Sequence, residues 1–185
     1  MGRLMGQYID RTLNWDDIPW IKEASGLPVV VKGIQSAADA KKALEHDVAG
    51  IFLSNHGGRS LDTAQPSILT LLELHRVCPE IFATGLEIYV DGGITRGTDI
   101  LKALSLGATA VGVGRPFLYS LTYGQEGVEH LISILKDELE TTLRLLGITD
   151  VDRLHPGLVN TKAVDHLVSD SEDHSWIQWR PKAML

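Results

Sequence analysis

The sequence predicts an α/β fold built as half of a (β/α)8 barrel, with about four βα units. Three observations carry that expectation. Four short apolar runs rich in Val and Ile are bounded by Gly, Ser or Asp, and their apolar residues run on continuously, as in parallel strands covered on both faces. A helical pattern follows each run. Each run also leads into residues of the kind that a barrel places at its catalytic face: Lys32, then Ser54-Asn55-His56, then Asp91-Gly92-Gly93, then Gly114-Arg115. A doubly wound sheet would show a glycine-rich turn directly after its first strand, and none stands there. A full barrel takes ~250 residues. At 185 residues, with four strands visible, the chain accounts for half of one.

The first strand is expected over Pro28 to Val31. Ser36 then caps a helix, with Asp39 at its third position and Ala40, Ala43 and Leu44 on one face. The second strand spans Gly50 to Leu53, and Pro66 suits the first turn of the next helix, which carries Ile68, Leu69, Leu72 and Val77. The third strand is Leu86 to Val90. Thr98 caps a helix over Asp99 to Leu106, with Gly107 as its stop signal. The fourth strand is Ala108 to Val113, and a long amphipathic helix runs from Gly127 to Leu146. One barrel domain over 1–168 is expected, then an acidic, Trp-containing tail over 169–185. In that tail Ser169 to Asp173 reads as solvated and mobile, while Trp176 and Trp179 suit docking on the body or on a partner.

Composition narrows the function classes. The net charge is −7, without a dense Lys/Arg stretch, which argues against a broad nucleic-acid or anionic-membrane surface. A single cysteine, Cys78, cannot form an intramolecular disulfide or a multi-cysteine zinc site, so a reduced, intracellular chain is expected. No apolar run approaches the ~20 residues of a membrane span. The N-terminus lacks a signal-peptide core, and Gly6 stands where a myristoylation motif needs Ser or Thr. The expectation is a soluble protein, cytoplasmic by default, with a mitochondrial or peroxisomal full-length relative compatible with it.

His56 and Arg59 lie three apart on a glycine-rich turn leaving a buried strand. Imidazole moves protons near neutral pH, and guanidinium grips a carboxylate with two parallel bonds. The pair suggests proton abstraction from a substrate held by its carboxylate. Taken alone, each residue could equally be a solvated loop side chain. Lys32 at a strand end needs an anionic neighbour, either a cofactor's developing charge or a structural carboxylate. The glycines of Asp91-Gly92-Gly93 and Gly112-Val113-Gly114-Arg115 let backbone N–H groups approach a phosphate, which barrels commonly bind after their seventh and eighth strands. His75 and His130 read as packing or surface residues, and no His-x-x-x-His pair or carboxylate cluster points to a metal.

The string Ser54-Asn55-His56-Gly57-Gly58-Arg59, with Lys32 upstream and Asp91-Gly92-Gly93-Ile94-Thr95-Arg96-Gly97 and Gly114-Arg115 downstream, resembles the FMN-dependent 2-hydroxy-acid dehydrogenases and oxidases. That family includes glycolate oxidase, lactate oxidase and the flavocytochrome-type L-lactate dehydrogenase. The resemblance runs from Trp15 to Val168, is nearest in wording to fungal members, and extends to Asn160-Thr161 with Ala163-Val164. It implies the C-terminal half of the barrel, FMN as cofactor, and oxidation of an L-2-hydroxy acid of the lactate or glycolate class to the 2-oxo acid. The electron acceptor would be oxygen or a cytochrome, and a homo-oligomer is compatible with this reading.

Position by position, the resemblance makes His56 the active-site base, binding substrate together with Arg59, the carboxylate clamp. It sets Lys32 against the flavin N1/C2 carbonyl edge and Ser54 in contact with the flavin. Asp91, Gly92 and Gly93, with Ile94 and Thr95 after them, line the ribityl-phosphate, and Gly114 and Arg115 hold the phosphate. Thr95 stands where the family more commonly has Arg, and Ser60 where many members have Gln. The family's first four strands supply a substrate-binding tyrosine and an aspartate that pairs with the histidine. Neither can be located in this sequence, so the isolated chain is expected to hold part of a site. Two alternatives stand beside this reading: a different phosphate-binding barrel of the inosine-monophosphate-dehydrogenase type, and a catalytically silent half-barrel that serves as a binding module. The His-Gly-Gly-Arg turn and the lack of a loop cysteine count against the former.

Overall fold

A computed structural model of the chain describes residue 10 and residues 12–170. The N-terminal segment judged for targeting signals, and the tail with Trp176 and Trp179, lie outside the described residues. A 3-10 turn over Trp15–Asp17 leads into α1 (Ile18–Ser25). Then come β1 (Val30–Ile34), α2 (Ala37–Glu45), β2 (Gly50–Leu53), α3 (Ser67–Val77), β3 (Glu87–Asp91), α4 (Gly97–Ser105), β4 (Ala110–Gly112), α5 (Arg115–Ser120) and α6 (Gly124–Leu146). The strands form one parallel sheet in the order β1-β2-β3-β4, so each successive βα unit adds a strand at the same edge.

Pairing register decides which side chains face the helices. Val31, Ile51 and Ile88 share one row, and Leu53, Val90 and Val111 another, and these rows supply the core beneath α2, α3 and α4. The intervening row is Lys32, Phe52, Tyr89 and Ala110, on the opposite face, where Phe52 and Tyr89 are only half-buried. The strands are therefore covered fully on one face, not on both as their continuous apolar runs suggest. The core continues through Leu71, Leu74, Ala40, Ala43 and Ile81, all essentially without exposure. Burying a large apolar side chain contributes about 1.5–3 kcal/mol, so the helix-facing side dominates the stability.

Several expected boundaries move: β3 is Glu87–Asp91, β4 shortens to Ala110–Gly112, α6 begins at Gly124, and three others shift as follows. β1 does not end at Val31. It runs through Lys32 to Ile34 with a bulge between Lys32 and Ile34, made possible by Gly33 at φ +106°. Thr98 does not cap α4, because the helix already includes Gly97, whose added Cβ would sit 2.5 Å from the Leu139 backbone nitrogen of α6. Only glycine allows that approach, so Arg96 takes the cap position and Asp99 Oδ2 accepts its N–H at 3.0 Å. Pro66 is likewise the residue before α3 in extended geometry, not part of its first turn. Ser36 caps α2 as expected, its hydroxyl accepting the Asp39 N–H at 3.1 Å.

Candidate active site

The C-terminal ends of all four strands open onto one cavity of about 620 Å³. Lys32, His56, Arg59, Asp91, Arg115 and Tyr119 supply its charged and ionisable lining, and Gly92, Gly93, Ile94, Thr95 and Gly114 line the side formed by the loops after β3 and β4. Every site residue expected from the sequence is there except Ser54. Ser54 is 2% exposed and lies outside the cavity lining, and its hydroxyl faces inward. It accepts the Lys32 ammonium at 3.0 Å and the His56 N–H at 3.1 Å, and so holds two cavity residues from behind.

The histidine turn is built from three successive left-handed residues, His56 at φ +57°, Gly57 at +68° and Gly58 at +70°. For His56 that conformation costs about 1–2 kcal/mol. A polar network offsets it. Asn55 Oδ1 accepts the Gly58 N–H at 3.1 Å, its amide nitrogen donates to Gln65 O at 3.2 Å, and its backbone N–H reaches Ser67 Oγ at 3.2 Å. Gln65 in turn donates to Gln35 O and Thr70 Oγ1, each at 3.1 Å. The sequence motif contained Asn55 but gave it no role; its placement as an anchor follows from a loop closing ten residues later. Among the described residues, nothing is hydrogen-bonded to the His56 ring. Arg59 keeps its guanidinium exposed apart from an Nε contact of 3.4 Å to His56 O.

Lys32 and Asp91 form an ion pair, and the Lys32 ammonium also lies 4.0 Å from the Phe52 ring centroid. Asp91 Oδ1, the other carboxylate oxygen, is buried without a hydrogen-bond partner. Gly93 and Gly114 have open space where a Cβ would point. The loop after β3 is held by two acids. Asp99 Oδ2 accepts from the Thr95 and Arg96 N–H groups, and Glu138 of α6 accepts from Gly97 N at 2.8 Å and pairs with Arg96 at 2.6 Å. The Gly97 N–H, followed by Arg96, holds the Glu138 carboxyl below its ordinary range. Arg96 therefore points to α6, away from the cavity. Arg115 donates to Gly57 O at 2.9 Å. Glu138 was not singled out from the sequence, since nothing local links it to a loop 41 residues earlier.

Two outlying histidines serve packing, whereas His130 is exposed. His75 Nε2 is 2.7 Å from Leu106 O and its ring stacks on Phe82, while His46 stacks on Trp15. No helix among the described residues is long and apolar enough to cross a membrane.

A family model described as FMN-dependent dehydrogenase matches residues 1–161. The L-lactate dehydrogenase (cytochrome) of Saccharomyces cerevisiae is 48% identical over 160 residues, covering 85% of this chain and 27% of that protein. The enzyme of the same description from Wickerhamomyces anomalus is 46% identical over 167 residues, 88% of this chain and 29% of that one. The 2-hydroxyacid oxidase 1 of Mus musculus is 42% identical, covering 86% and 42%. Among solved structures, the recombinant flavin-binding domain of baker's yeast flavocytochrome b2 superposes with a TM-score of 0.80 at 43% identity, over 96% of this chain and 46% of that chain. The chain thus spans less than half the length of these relatives, and its four parallel units form a partial TIM barrel. The inosine-monophosphate-dehydrogenase-like alternative falls with that match. A histidine turn at the end of β2, facing glycine-lined strand ends, sits on a scaffold shared at this level of identity, and the chain belongs to the FMN-dependent dehydrogenase family.

Proposed function

We propose that this chain carries the proton-accepting and carboxylate-binding part of an L-2-hydroxy-acid oxidoreductase, together with the corner that takes the phosphate of FMN. The observation that carries this reading is one cavity lined at once by His56, Arg59, Lys32 and Arg115. The Arg59 guanidinium clamps the substrate carboxylate with a planar fork and so aims the hydroxyl-bearing carbon at His56. His56 takes one proton from the substrate, from carbon or from the hydroxyl, and the second hydrogen leaves as hydride with the electron pair or, on the carbon route, as the hydroxyl proton, as the 2-oxo acid forms. When bound, FMN supplies the two-electron acceptor.

Several features suit that cofactor. Lys32 is a fixed cation for the edge of a ring that becomes anionic on reduction. The unpartnered Asp91 Oδ1 can accept from a ribityl hydroxyl. Gly93, Ile94 and Gly114 present backbone to the phosphate side, Thr95 lines it with its N–H held by Asp99, and Arg115 supplies its charge. With Thr95 in place of a second arginine and Arg96 committed to Glu138, the phosphate corner relies on Arg115. Lactate- or glycolate-class acids are the proposed substrates; the electron acceptor is oxygen or a cytochrome, in line with the oxidase and cytochrome descriptions of the relatives.

The test is an FMN titration followed by flavin fluorescence, with parent and Lys32→Met compared. Saturable quenching that weakens in the variant supports the reading; no saturable change at millimolar FMN contradicts it.

A further inference from the structure

The Arg115 guanidinium stands between two parts of the cavity. It opens α5 directly after Gly114, where backbone is exposed to open space, yet its Nη2 reaches back to the carbonyl of Gly57, the residue after His56. A Cβ at Gly57 would lie 3.3 Å from Nη2, the movable end of a long side chain, and the φ of +68° there also favours glycine. A guanidinium has five N–H donors in a fixed fork, and the Gly57 bond uses one. The His56 ring has no hydrogen-bond partner among the described residues, so the turn's position depends on what grips its backbone. The N–H groups of Thr95, Arg96 and Gly97 are already spent on Asp99 and Glu138, which leaves Arg115 as the side-chain cation of this corner beside the backbone of Gly93, Ile94 and Gly114.

We propose that Arg115 is a positioning residue for His56: one guanidinium grips both the cofactor phosphate and the carbonyl after the histidine, so that phosphate binding fixes the turn. This rests on the FMN reading above. A planar fork can donate one N–H to Gly57 O while presenting others to a phosphate, whereas a lysine ammonium at the end of a flexible stem cannot span both. The coupling is reciprocal: to the extent that phosphate favours the gripped turn, the gripped turn favours phosphate.

Inorganic phosphate is the informative probe, because it carries no ring to perturb His56 directly. In NMR spectra of the whole chain, at constant pH and ionic strength, phosphate is expected to shift the Gly114 amide. The Gly57 amide and the His56 ring protons should shift with the same half-saturation. In Arg115→Lys the Gly114 shift should persist and the His56 shift should be lost. Gly57→Ala, which crowds Nη2 from the other end, should weaken phosphate binding read at Gly114. Equal His56 shifts in Arg115→Lys and parent would overturn the proposal. So would a parent in which Gly114 responds while His56 does not, or in which FMN shifts Gly114 and phosphate shifts neither. FMN that moves neither Gly93 nor Gly114 would overturn the cofactor reading itself, and this proposal with it.

Discussion

Lys32 and Asp91 pair from β1 to β3 across the intervening strand, with the Phe52 ring of β2 beneath the ammonium. Two residues 59 positions apart thereby set the charge of the cavity floor. Of the two anionic neighbours the sequence left open for Lys32, a cofactor's charge or a structural carboxylate, Asp91 supplies the carboxylate.

Replacing Lys32 by Met removes the ion pair and the contact with Phe52, and leaves a half-buried carboxylate without its cation. The expected cost is about 1–2 kcal/mol, read as a lowered urea midpoint. FMN affinity or flavin reduction should fall as well. Equal values for both in variant and parent would mean that Lys32 has no role toward the cofactor.

Arg59→Lys keeps the charge but replaces a two-pronged donor with a point charge. Binding of a 2-oxo acid product to FMN-loaded protein, and hydroxy-acid turnover in a completed barrel, should both drop strongly. Unchanged hydroxy-acid kinetics would remove Arg59 from the clamp role.

Much of the frame was legible in the sequence. β2 falls on Gly50–Leu53 as its apolar run indicates, and Ser36 caps α2 through the Asp39 N–H. The cavity residues are legible because a barrel gathers strand ends at one face. What was hidden depends on distant partners. The burial of Ser54 behind Lys32 follows from the β1–β2 register, and Asp91 reaches Lys32 only once the sheet has brought β1 and β3 to either side of β2. Thr98 looked like a cap because capping preference is local, whereas Gly97 enters α4 to let α6 approach.

Gly97→Ala tests that approach. Its methyl group would meet the Leu139 nitrogen at 2.5 Å and the Leu135 carbonyl at 2.7 Å, both rigid backbone. Overpacking of this kind costs about 1–3 kcal/mol, and thermal melting should show it. A melting temperature equal to the parent's would mean that α4 and α6 separate freely.

Glu138→Gln tests the acid that holds the loop after β3. The Glu138 carboxyl sits below its ordinary range because the Gly97 N–H and Arg96 favour its charged form. Its contribution is therefore present above the ordinary glutamate range and is lost as pH falls through the lowered folded value. The stability gap between the parent and the Glu138→Gln variant should be open at neutral pH and close in acid. Urea midpoints across that range give the answer, and a gap independent of pH would show that Glu138 acts through shape alone.

The most direct measurement is made on the purified chain: its flavin spectrum, then L-lactate and glycolate oxidation with an artificial electron acceptor. General-base catalysis is worth about 10²–10⁴-fold, and it needs the base held within reach of its proton. Here the His56 ring has no hydrogen-bond partner among the described residues, and the sheet that carries it is open at both β1 and β4. The expected result is little retained flavin and negligible turnover. Robust turnover that disappears in His56→Gln would contradict the claim that these four βα units hold only part of the site.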